Sequence, residues 1–99
     1  MSIQEIGQGN DIMHELSLLK DLMNKIGQLA RENNAQTVTE VKVRLGALSH
    51  ISTDHFRDHF TRSAKGTVAE NALLVVEQLT DETDPRAQDI ILDSIKIAE

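Results

Sequence analysis

Cysteine is absent from the 99-residue chain, and with it go disulfides, thiolate nucleophiles and cysteine-ligated zinc. Tryptophan and tyrosine are absent too, and the two phenylalanines leave almost no platform on which nucleic-acid bases could stack. Basic side chains are in the minority: 10 Lys and Arg against 16 Asp and Glu give a formal charge of −6, opposite to what a phosphate backbone attracts. Nucleic acid is therefore not an expected partner. No apolar run approaches the roughly 18 residues that a membrane span needs. Residues 1–12 have neither the basic start nor the apolar stretch of a secretory signal. The expectation is a cytoplasmic protein with no membrane partner. No Ser/His/Asp order, phosphate-cradling loop or credible pair of carboxylates stands out, so the chain does not read as an enzyme.

What is present suits one small domain, since a hydrophobic content of 39% can fill a modest core. Leu16, Leu19, Leu22, Met23, Ile26, Leu29 and Ala30 recur at the three-and-four spacing of one helical stripe. Asn33 and Asn34 suit the end of that helix, because asparagine tolerates the left-handed backbone found there. Val41, Val43 and Leu45 then alternate with Glu40, Lys42 and Arg44, the period of a strand with one wet face, and Gly46 ends it. Ser52, Thr53 or Asp54 can cap a second helix that buries Phe56 and Phe60 and stops near Lys65-Gly66. Gly46 and Gly66 are expected to permit backbone turns. "ALLVVEQL", residues 72–79, is a nearly continuous apolar run that predicts a central strand.

After "TDETDPRAQ", an acidic stretch expected to be a solvated connection, "DIILDSIKI" predicts a last strand with a fault in its rhythm. Ile90 and Leu92 share one parity and Ile95 and Ile97 the other; a bulge at Asp93-Ser94 would return all four to one face. No internal repeat or low-complexity tract interrupts this order. The expected class is α+β, a small mixed three-stranded sheet with two helices packed on it in the order α-β-α-β-β. The strand-helix-strand step is expected to be a parallel crossover and the last two strands a hairpin.

Three stretches, "MHELSL" opening a helix, "VKVRLGALSHI" as strand and turn, and "FTRSAKGTVAENALLVV" running from helix into strand, together resemble the HypA/HybF family of nickel metallochaperones across residues 13–79. "DIILDSIKI" resembles the family's C-terminal strand. The resemblance implies delivery of nickel to a hydrogenase large subunit, and in some organisms to urease, together with a maturation GTPase. A homodimer is left open. Two departures are plain. The family carries a zinc domain on paired C-x-x-C motifs between its last two strands, whereas here residues 80–88 stand in that place without a cysteine. No zinc is therefore expected. In the family Met-His-Glu begins the chain, whereas here it is internal, at Met13, His14 and Glu15, so residues 1–12 read as an N-terminal extension of a single domain spanning 13–99.

The family's implied nickel donors are the terminal amine, backbone nitrogens and the imidazole of the second residue, a four-nitrogen set that suits square-planar nickel. By that resemblance the metal residues are Met13, His14 and Glu15. An internal Met13 offers a peptide nitrogen in place of the amine. Either Met13 is the start in the cell or the chain has given up the site. The plainer readings are a polar His14 in a helical first turn and a Glu15 favoured there by the helix dipole. His55 and His59, four apart on the second helix, have the spacing of two metal ligands, which is equally that of an ordinary surface pair. They fall on no family motif position, and His50 would join them only if its turn folded back.

Overall fold

The computed structural model describes the backbone of residues 5–8 and 12–98 and the side chains of residues 18–98. Its elements are β1 (Glu5–Gln8), α1 (Ile12–Glu32), β2 (Val38–Leu45), α2 (Thr53–Ala64), β3 (Leu73–Gln78) and β4 (Asp89–Ile97), with the strands in the order β1-β4-β2-β3. The α+β class with two helices on a mixed sheet is as the patterns predict. The sheet has one strand more than expected, because part of the 1–12 extension pairs antiparallel with β4, Gly7 opposite Ile90 and Gln8 opposite Asp89. Nothing in "EIGQ" signals this, since a four-residue edge strand needs little apolar pattern of its own.

α1 begins at Ile12, a turn before its apolar stripe. Leu18, Leu19, Leu22, Ile26, Leu29 and Ala30 are buried, with Met23 partly so. Its end is a Schellman turn: Asn34 has φ 56°, the Ala35 amide donates to the Ala30 carbonyl and the Asn34 amide to Arg31. α2 is capped by Ser52, whose Oγ accepts from the His55 amide at 3.1 Å. Phe56 and Phe60 are buried with ring centroids 6.3 Å apart. Both helices share one core with Val41, Val43 and Leu45, so they lie on the same face of the sheet.

Two expectations on strand placement are corrected. The 72–79 run is an edge strand, pairing only with β2 in parallel, and it makes no hairpin with β4, which lies antiparallel on the other side of β2. A continuous apolar run suits a strand covered on both faces. Here the helices cover one face only, so Leu73 stands 61% exposed on the edge. The alternating strand takes the centre because its polar residues find partners on both sides: Arg44 meets Glu77 of β3 at 3.3 Å and Asp93 of β4 at 3.5 Å, and Lys42 meets Asp93 at 3.8 Å.

The rhythm fault in β4 is a bulge. Lys42 pairs with Ser94 and Val43 with Leu92, leaving Asp93 as the extra residue. Ile90, Leu92 and Ile95 are accordingly buried in the one core, with Ile97 packed against it.

Candidate metal centre

Met13, His14 and Glu15 occupy the first turn of α1. Their side chains lie outside the described residues. A helix leaves its first-turn amides without intrahelical acceptors, so the peptide nitrogens of this turn are not committed to the helical ladder.

His55 and His59 are brought together by α2. Their Nε2 atoms lie 2.7 Å apart, and the rings stack with centroids at 4.5 Å and planes 16° apart. At that separation one ring donates an N–H and the other accepts it. The arrangement follows from the residues beside them: buried Phe56 and Phe60, one position after each histidine, set the rotation of the helix. His50, by contrast, sits exposed in a left-handed turn with φ 61°. Among the described residues no group of three or more His, Asp or Glu side chains is placed to hold a metal ion. The structure therefore joins His55 to His59 and leaves His50 apart.

Residues 80–88 form a compact, self-bonded connection. Asp81 Oδ1 accepts from the Thr83 amide at 2.9 Å and from the Thr83 hydroxyl at 2.6 Å, and these bonds, the hydroxyl first, hold its carboxyl below the ordinary 3.8. Asp84 Oδ1 accepts from the Arg86 amide at 2.8 Å. The segment then folds back on the turn after β2, where the Leu48 amide donates to Ala87 O at 2.7 Å and the Gly46 amide to Asp89 O at 2.8 Å.

Residues 13–84 match the family model described as hydrogenase/urease nickel incorporation, metallochaperone, hypA. The chain belongs to the HypA family. Among named HypA proteins, the hydrogenase maturation factor HypA of Aquifex aeolicus (strain VF5) is 43% identical over 65 residues, covering 66% of this chain and 56% of that protein. That of Archaeoglobus fulgidus is 38% identical over 64 residues, covering 65% of this chain and 58% of that protein. The chain thus spans less than two thirds of these HypA relatives. In fold it is similar to the solution structure of the Ni metallochaperone HypA from Helicobacter pylori, with a TM-score of 0.70 at 17% identity over 84% of this chain and 97% of that one.

Proposed function

We propose that this chain is a cytoplasmic nickel metallochaperone that assists nickel insertion into a hydrogenase or related nickel enzyme, with Met13, His14 and Glu15 as its nickel residues. The observation that carries the reading is that the family match begins at Met13, in the first turn of α1. Nickel is the cargo here, and the partners are a maturation GTPase and the large subunit of the client enzyme. Residues 13–99 are read as one HypA-like domain in which residues 80–88 take the place of the zinc module. The self-bonded loop supports that reading, because its hydrogen bonds do what a metal would otherwise do in fixing a turn.

The donor chemistry fits nickel in part. The imidazole of His14 and the first-turn amides supply nitrogen, while the N-terminus of a helix is its positive end and opposes a cation. A carboxylate at Glu15 offsets that opposition. The amine is the missing donor, and the chain that precedes Met13 enters the sheet as β1. That observation favours a second reading, a metal-free HypA-like adaptor that docks a maturation partner.

Calorimetric nickel titration separates the two, using the full chain and a chain beginning at Met13, each with and without His14→Ala. A free amine has a pKa of about 7.7 to 8.0, which leaves a usable deprotonated fraction near neutrality. The chaperone reading expects the tightest binding in the chain beginning at Met13, abolished by the substitution. Equal affinity in all four proteins overturns Met13-His14-Glu15 as the site.

A further inference from the structure

We propose that His55 and His59 form a second, bidentate site for a divalent transition-metal ion of the nickel, copper or zinc class, on the solvent side of α2. The site does not depend on the role given to Met13, His14 and Glu15. Two metal–imidazole bonds of about 2.0–2.1 Å at a right angle place their nitrogens about 2.9 Å apart. The Nε2 atoms already stand at 2.7 Å. A metal ion enters by replacing the proton between them. The donating ring moves its proton from Nε2 to Nδ1, both rings stay neutral, and a small rotation of each stacked ring turns the two lone pairs onto one point.

The surroundings hold this geometry. The Ser52 cap fixes the turn that carries His55, and the buried Phe56 and Phe60 keep the histidine face outward. The nearby cation Arg62 is paired with Asp58, which limits its repulsion of an incoming ion. A net charge of −6 favours cations at the surface generally. Among the described residues the pair supplies two protein donors and no third His, Asp or Glu is grouped with it. The ion is therefore exchangeable, in keeping with transient holding and not with a structural role. Closing a second bond within one helix raises affinity over a single imidazole by about a hundred-fold through effective concentration.

The test is titration of the full chain with nickel chloride and, separately, zinc chloride, following heat and the imidazole nitrogen resonances. His55→Ala and His59→Ala are each expected to weaken binding by about a hundred-fold, and to the same extent. The double variant should lose the residual single-imidazole binding as well, and His14→Ala and His50→Ala should retain the site. Both positions lie on the outer side of α2, and an unchanged thermal transition in the metal-free variants verifies that they fold. Wild-type affinity in both single variants overturns the proposal. So do small additive losses, which mean two separate imidazoles, and so does loss on His14→Ala alone, which transfers the binding to the first turn of α1.

Discussion

Gly46 and Gly66 look alike in the sequence, each following a regular element, yet they are glycine for different reasons. At position 66 the backbone is left-handed, φ +78°, and a Cβ would meet nothing within 4 Å. At position 46 a Cβ would lie 2.2 Å from the carbonyl oxygen of Ala87 and 2.5 Å from its carbon. Gly66 therefore terminates α2 as its position suggests, whereas Gly46 is required by the close approach of residues 86–87 and not by a turn. Asparagine tolerates left-handed backbone but cannot shrink its Cβ. Gly66→Asn should accordingly leave stability within about 1 kcal/mol, while Gly46→Asn and Gly46→Ala should each cost about 1–3 kcal/mol or more. Chemical denaturation of the three variants checks the contrast; equal losses at both positions would contradict it.

A strand's alternation leaves no freedom for a miscount, and β4 shows how one residue restores it. Asp93 is the extra residue at the bulge, and its carboxylate lies on the charged face with Lys42 and Arg44. Truncating it and deleting it are different operations. Asp93→Ala removes two partly exposed ion pairs and should cost about 0.2–1 kcal/mol, less at high salt. Deleting Asp93 removes the bulge and leaves Leu92, Ser94 and Ile95 in plain alternation, so that Ile90, Leu92, Ile95 and Ile97 still share the buried face. The deletion gives up the two ion pairs but moves no isoleucine out of the core, a change that would cost about 1.5–3 kcal/mol for each. The expected outcome is a cooperative thermal transition in both chains. A broad or absent transition in the deleted chain would mean that the bulge itself, and not only the alternation it restores, is needed in β4.

At the scale of the whole molecule, the core of two helices on one sheet face is built, among the described residues, from apolar side chains, and residues 80–88 close on themselves by hydrogen bonds. Treatment of the protein with a chelator should therefore leave its cooperative unfolding unchanged; a fall of more than about 5 °C, worth roughly 1 kcal/mol at this size, would show that folding requires an ion. The sequence by itself determined the two helices and the last three strands, the faces they bury, a cap among Ser52, Thr53 and Asp54, a bulge at Asp93-Ser94 and a shared face for His55 and His59. Each of these depends on neighbours within a few residues, and the periods of 2 and 3.6 report them directly. Only the tertiary structure decided that β2 is central and the apolar β3 an edge, because that depends on which faces the helices cover and where Glu77 and Asp93 meet Arg44. It alone decided that "EIGQ" is a strand, since four residues with one apolar side chain become one only against the open edge of β4. The 2.7 Å between two imidazole nitrogens belongs to the same class: spacing put His55 and His59 on one face, and packed phenylalanines determined how that face is turned.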